Sequence, residues 1–377
     1  MVKVCNLTVD VLLMLKIKAA TRLITQVILI SGITFVLSEI TFRIYNKINP
    51  TFVFYDYSYN RWRGKPNAED YEFNLNSQGF KDQEFSQQKD PQTYRVLGIG
   101  DSFTFGVVPY PYNYLTVLEE QFNQAGKNIE IINMGIPGMG PRDYLSILSN
   151  EGLDLNPDRV LISFFIGNDF TDNDLTKNVR RENYSYVIEF FRSLIKIQQN
   201  YEGHIFSPRE RGSYQDNQPT LSEDSFLEVE VERSTQYLTD EASQTEFKEL
   251  FEDAVNDIKK IKALCDYQNI ALTVVIIPDE VQVNPELQAK IIERFELDNS
   301  SLIDFKLPNR LLQAELQQSN IDTIDLLDNF ITISQQKRLY KPLDTHWNIA
   351  GNQLAADLIQ QNLSDKIEQD LNAKSAN

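Results

Sequence analysis

The chain has two histidines, His204 and His346, so imidazole-mediated proton transfer has two places to occur. His346 lies in Leu343-Asp344-Thr345-His346-Trp347-Asn348. A carboxylate two residues before an imidazole can orient the ring and stabilise its charged form. His204 sits in a polar stretch near Gly203 and Pro208 and reads as a solvated loop histidine. Imidazole could activate a serine, and Gly98-Ile99-Gly100-Asp101-Ser102-Phe103 puts Ser102 directly after an apolar run. This is not the Gly-x-Ser-x-Gly elbow, because Phe103 and Thr104 follow Ser102 without the required glycine. Two more blocks hold groups suited to stabilising negative charge. In Asn133-Met134-Gly135-Ile136-Pro137-Gly138, a glycine exposes its backbone amide. Phe165-Ile166-Gly167-Asn168-Asp169 supplies a side-chain amide. Taken singly, each block has an ordinary reading: a serine cap, a glycine turn, an asparagine turn, a packed histidine.

The predicted elements place these four blocks together. Tyr94–Gly100, Ile129–Met134, Val160–Ile166 and Ala271–Ile277 are short, nearly continuous apolar runs, as strands of a parallel sheet buried on both faces are. A weaker strand is expected at Thr323–Leu326. Helical spacing falls between them at Tyr112–Gln124 (stopped by Gly126), Arg142–Glu151, Phe247–Tyr267, Pro285–Phe295 and Pro308–Gln318, and closes at Ile349–Gln361. Strands alternating with helices mean βαβ units and a three-layer α/β/α arrangement. Ser102, Gly138 and Asn168 each follow a strand, at the edge where open α/β sheets bind ligands. Residues 170–245 interrupt the rhythm and read as a solvated insertion: a polar run, an apolar helix around Tyr186–Ile197, then a loop around His204–Glu223 that could form a lid. Cys265 reads as a small core residue of the helix before Ala271–Ile277.

The order Ser, Gly, Asn, His resembles the SGNH hydrolases, also called the GDSL lipase/esterase family. The resemblance covers residues 94–363 and implies a flavodoxin-like fold with a five-stranded parallel sheet. By that resemblance Ser102 is the nucleophile, His346 the general base and Asp344 its partner. It implies an oxyanion hole made by the amides of Ser102 and Gly138 and the Asn168 side chain. Two histidines and two cysteines, Cys5 and Cys265, argue against a zinc site, and no cofactor or metal is expected. In two places the chain departs from the family pattern. Phe103 replaces the usual leucine, and one residue rather than two separates Asp344 from His346. The Asp-Thr-His-Trp arrangement is similar to that of SGNH-like polysaccharide O-acetyltransferases. An esterase of acyl or acetyl esters is therefore the first expectation. A polysaccharide O-acetyltransferase, or a silent glycan-binding protein using Tyr110, Tyr112 and Tyr114 as sugar platforms, are the alternatives.

The 377 residues carry a formal net charge of −18. That balance argues against nucleic acid as a partner, which needs a basic face. The charge is unevenly spread. Residues 1–50 hold Lys3, Lys16, Lys18, Arg22, Arg43 and Lys47 against Asp10 and Glu39, a net +4, and the body holds −22. Leu23–Leu37 has no charged residue and, extended through Phe42, is long enough to span a bilayer. No small-x-small cleavage site follows it, so residues 23–42 are expected to be an uncleaved anchor. Lys16, Lys18 and Arg22 place residues 1–22 in the cytoplasm and the body outside it. Residues 45–93 are expected to be an irregular, strand-containing lead-in, and 364–377 a polar tail. Ester-bearing small molecules or glycans, and the membrane, are the expected partners.

Overall fold

A computed structural model of the chain describes residues 2–48, 64, 66–67, 69–71, 73–172, 185–188, 191, 214–296 and 302–375. The chain divides into two units, one of residues 1–55 with 182–199, the other of 56–181 with 200–377.

In the first unit, helix α1 runs Val2–Ile48, well beyond the 23–42 read from hydropathy. Its stretch Ala20–Ile44 is long and apolar enough to cross a membrane. Leu23, Ile28, Ile30 and Leu37 are all more than half exposed on it. Glu39 and Arg43 pair at 2.8 Å, one helical turn apart, as their spacing suggests. The same Glu39 carboxylate accepts from Ser185 Oγ at 2.9 Å and from the amides of Tyr186 and Val187 at 3.0 and 3.1 Å.

The second unit is built on a parallel sheet. A two-stranded ladder, β1 (Glu69–Asp70) and β2 (Phe73–Asn74), precedes it. The sheet strands are β3 (Tyr94–Gly100), β4 (Ile129–Asn133), β5 (Arg159–Phe165), β6 (Ala271–Ile277) and β7 (Asp322–Asp325). Their spatial order is β4-β3-β5-β6-β7 with every pairing parallel. That is the flavodoxin-like order, and its direction reverses between β3 and β5. The helices are α2 (Ser102–Phe105), α3 (Tyr114–Gln124), α4 (Pro141–Ile147), α5 (Asp169–Asp172), α6 (Glu223–Arg233), α7 (Glu241–Tyr267), α8 (Glu280–Val283), α9 (Pro285–Arg294), α10 (Leu307–Gln318), α11 (Leu327–Ser334) and α12 (Ile349–Ser375).

Alternate strand residues feed opposite layers. Leu97, Ile99, Val274 and Ile276 pack with α4, α7 and α10 through Tyr144, Ile258, Ile261 and Leu312. Val96, Val275 and Ile277 pack with α3, α11 and α12 through Leu118, Phe330 and Ile359. Both faces are thus covered, which is why these strands read as unbroken apolar runs. Cys265 is fully buried in the first of these layers, as expected.

Three boundaries differ from expectation. The stretch 364–377, expected as a polar tail, is helical through Ser375, because Leu363 and Ile367 continue a four-residue buried stripe and Leu371 packs beside them. The insertion is less solvated than its composition suggests: α6 and the turn after it bury Phe226, Glu230 and Tyr237. Helix α7 begins at Glu241, capped by Asp240 accepting from the Ser243 amide at 3.1 Å, and not at Phe247. His204 and most of the apolar helix expected at Tyr186–Ile197 lie outside the described residues.

Candidate active site

Strand β3 ends at Gly100, and the chain turns sharply into α2. Asp101 makes that turn: its buried carboxylate accepts from the Phe103 amide at 2.9 Å and caps the helix. Gly100 is required here, since a Cβ would stand 2.1 Å from Thr104 Oγ1. Ser102 follows, half-buried, at the sheet edge beside the reversal point between β3 and β5.

The loop before α12 brings the histidine to it. Tyr340 and Trp347 form an antiparallel bridge, Lys341 N donates to His346 O at 2.9 Å, and Asn348 caps α12 by accepting from Gly351 N at 2.9 Å. Within this tight loop His346 Nε2 lies 2.7 Å from Ser102 Oγ, and His346 Nδ1 lies 2.7 Å from Asp344 Oδ1. Asp344 Oδ1 also accepts from the His346 backbone amide at 3.1 Å. The one-residue spacing therefore allows the carboxylate–imidazole contact, because the same oxygen receives both the backbone and the ring of the histidine. The serine, the imidazole and the carboxylate form a continuous hydrogen-bonded line.

Phe103 has a place in this arrangement that leucine could not fill in the same way. Its ring lies 5.1 Å from the His346 ring, 5.0 Å edge-on to Trp347 and 4.3 Å from Phe165. The imidazole thus rests against aromatic surface, and its contacts to Ser102 and Asp344 fix its rotation.

The other two blocks lie at the same sheet edge. Gly135 is wedged against the turn that carries Ser102, where a Cβ would meet Phe105 N at 2.3 Å and Thr104 C at 2.6 Å. Gly138 is exposed, has φ +72°, and has no heavy atom within 4 Å of where a Cβ would be. Asn168 Nδ2 donates one hydrogen to Asp172 Oδ2 at 2.8 Å, and its Oδ1 is buried without a hydrogen-bond partner among the described residues. Asp169 steadies this turn, accepting from Phe165 N at 3.0 Å and from the Tyr144 hydroxyl at 2.9 Å.

Sequence reasoning missed Thr220, whose hydroxyl donates to the second oxygen of Asp344. It lies 124 residues away in a polar stretch, and no local pattern marks it. Of the three tyrosines considered as sugar platforms, Tyr114 is fully buried and bonded to Ser163 Oγ at 2.5 Å. Tyr110 is stacked on Phe73 at 3.9 Å, so Tyr112 is the exposed one.

The electrostatics around the line are acidic. Burial alone would raise the Asp344 carboxyl. The charge and hydrogen bonds of His346, with the Thr220 hydroxyl, outweigh it and hold the group down at about 2. Burial pushes Asp101 up to about 6, although the Phe103 amide and the charges of His346 and Arg233 pull the other way. Burial likewise raises Glu230 and Asp279, and takes Glu280 up to about 8. Arg233 stands beside them, 3.7 Å from Glu230. Among the described residues no group of three His, Cys, Asp or Glu side chains is arranged to hold a metal ion.

Residues 236–376 match the family model described as "ALGX: SGNH hydrolase-like domain, acetyltransferase AlgX". The five-stranded parallel sheet with its helices is an SGNH-like α/β fold. The stretch matched contains Asp344 and His346 and begins after Ser102, Gly138 and Asn168. Several solved structures are similar to this SGNH-like chain. An acetyl xylan esterase, AlAXEase, is 15% identical, with a TM-score of 0.40 over 71% of this chain and 99% of its own. A GDSL-like lipase from Bacteroides thetaiotaomicron VPI-5482 is 12% identical, with a TM-score of 0.38 over 75% of this chain and 93% of its own. A lipase/acylhydrolase from Enterococcus faecalis is 15% identical, with a TM-score of 0.36 over 72% and 96%. No curated protein matches the chain.

Proposed function

We propose that the protein is a membrane-anchored serine acyl hydrolase that cleaves acyl or acetyl esters through an acyl-enzyme. The observation that carries this reading is the line from Ser102 Oγ to His346 Nε2 and from His346 Nδ1 to Asp344 Oδ1, each 2.7 Å. A serine hydroxyl is a poor nucleophile unaided, and an imidazole within hydrogen-bond reach can take its proton as it attacks. Asp344 holds the ring in the tautomer that leaves Nε2 free to accept, and stabilises the imidazolium that forms. The oxygen of the attacked carbonyl then becomes negative. The amides of Ser102 and Gly138 and the second hydrogen of Asn168 Nδ2 are the donors we assign to it. One such donor is typically worth about 3 kcal/mol of barrier. The imidazolium returns its proton to the leaving alcohol, and water, activated the same way, releases the acid.

A second reading follows from the family match. Because residues 236–376 match an acetyltransferase family, a sugar hydroxyl in place of water would make the same site an O-acetyltransferase. In either case a neutral ester or glycan suits the site better than an anionic polymer, given the −18 charge of the chain. We assign Ala20–Ile44 as the anchor, with the N-terminus cytoplasmic and the SGNH domain on the other side.

The test is release of acetate from an aryl acetate, with and without a neutral oligosaccharide, alongside labelling by a fluorophosphonate. Turnover by the wild type, lost in Ser102→Ala together with the label, is the expected result. Acetate appearing on the oligosaccharide identifies the transferase. Equal labelling of wild type and Ser102→Ala would sink both readings.

A further inference from the structure

The insertion returns to the SGNH domain along the loop that carries His346. Lys341 Nζ reaches Gln215 O at 3.4 Å and stands 4.7 Å over the Tyr214 ring. Asp216 accepts from the first amide of α12, Ile349 N, at 2.9 Å, and is itself held by the Tyr214 hydroxyl at 2.6 Å. Further along, Thr220 N donates to Pro342 O at 3.4 Å and Leu221 N to Leu343 O at 3.1 Å. The Thr220 hydroxyl completes the run by donating to Asp344 Oδ2. The insertion therefore touches the loop on both sides of His346, at positions 341–344 and at 349.

The loop has a particular need of such support. Both His346 donors converge on Asp344 Oδ1, so nothing within the loop holds Oδ2. A carboxylate fixed by one oxygen can rotate about its Cβ–Cγ bond, and the imidazole would turn with it. Leu343, just before it, has φ +47°, a left-handed conformation unfavourable for leucine that persists only where the surroundings impose it. The bond from Leu221 N to Leu343 O lies at that residue.

We propose that residues 214–221 are a strap that positions the catalytic loop, with Thr220 a positioning residue acting on His346 through the second oxygen of Asp344. The proposal rests on the acyl-transfer reading for its kinetic consequence alone; its structural consequence can be measured independently. It assigns the insertion to completing the site, where its composition suggested a solvated loop or lid. The charged and titratable groups that act on Asp344 or are acted on by it are His346, Glu230, Glu280 and Tyr214. Thr220 contributes a neutral hydrogen bond among them.

Two histidines make the test direct. In full-length protein in detergent micelles, His204→Gln leaves His346 as the single imidazole, and its Nδ1–H proton is followed by NMR with ¹⁵N-labelled histidine. Thr220 is otherwise exposed, so Thr220→Val removes the hydroxyl without opening the core, and its methyl keeps water from replacing it. We expect Thr220→Val to move the Nδ1–H resonance upfield or broaden it away, and to lower kcat on an aryl acetate about tenfold with KM unchanged. Thr220→Ser restores both. If Thr220→Val does not fold, Thr220→Ala is read by the same resonance. A resonance and kcat within twofold of wild type in the folded variant would overturn the proposal, as would failure of Thr220→Ser to rescue. Wild-type protein that turns over no ester, yet loses the resonance in Thr220→Val, would keep the strap and reject the acyl-transfer reading.

Discussion

Asp344 can be both buried and ionised because three donors converge on it: the ring and amide of His346 on one oxygen and Thr220 on the other. Burial would raise its pKa, yet the carboxyl is held at about 2, below the ~3.9 of an unfolded aspartate. A group depressed on folding stabilises the fold fully above its unfolded value, and loses that contribution as pH falls through the folded one. The window for Asp344 is therefore about pH 4 down to 2. An acid limb in kcat/KM above pH 4 then does not belong to Asp344. Asp344→Asn tests the role directly, since the amide cannot stabilise the imidazolium and favours the wrong tautomer. We expect kcat on an aryl acetate to fall by ~10⁴-fold with KM little changed. A loss below tenfold in steady-state kinetics would remove Asp344 from the mechanism.

At the scale of elements, the site depends on how closely the turn after β4 fits the turn after β3, and its two glycines serve different purposes. A methyl at Gly135 would meet backbone atoms of Thr104 and Phe105, which cannot move without shifting Ser102. A methyl at Gly138 would meet nothing, but φ +72° costs an L-residue about 1–2 kcal/mol. Gly135→Ala should therefore lower the urea midpoint more than Gly138→Ala and remove fluorophosphonate labelling. Gly138→Ala should lose only about 1–2 kcal/mol of stability and still label. Equal effects in the two would mean that the β3–β4 turn contact does not place Ser102. The same contrast explains what could be read from sequence. The strands are legible because a sheet covered on both faces makes continuous apolar runs, and the placement of Ser102, Gly138 and Asn168 after strands and of His346 before the last helix is legible from the same pattern. Helix α12 runs past the end its composition suggests, because only Leu363, Ile367 and Leu371 continue its stripe among polar neighbours. Thr220 could not be read at all. Its role comes from a contact spanning 124 residues, made by a hydroxyl in a segment whose composition is that of any solvated loop.

At the scale of the whole molecule, many carboxylates sit where folding opposes their charge. Burial takes Asp82 up to about 7 against bonds from Asn133 N, Gln83 N and the Tyr110 hydroxyl, Asp101 to about 6, and Glu280 to about 8. The folded chain thus holds protons that the unfolded chain has already released above about pH 4.5. Where the native state binds more protons, stability falls as pH rises. The thermal midpoint should accordingly increase by at least ~3 °C from pH 8 to pH 5.5. Repulsion within a chain of charge −18 acts in the same direction, so the two causes must be separated. At 0.5 M salt the screening length is about 4 Å, which suppresses repulsion between exposed charges and leaves buried groups nearly untouched. The increase should survive that salt. Glu280→Gln then isolates one buried group, whose Oε1 accepts from Asn284 Nδ2 at 3.1 Å while Oε2 is buried without a partner among the described residues. A neutral amide of the same shape removes the need to bind a proton. The variant should melt higher than wild type at pH 8 and by a clearly smaller margin at pH 5.5, by calorimetry at both salt concentrations. A midpoint that responds equally at the two pH values would show that Glu280 takes up no proton on folding in this range, and that the acid stabilisation comes from Asp82 and Asp101.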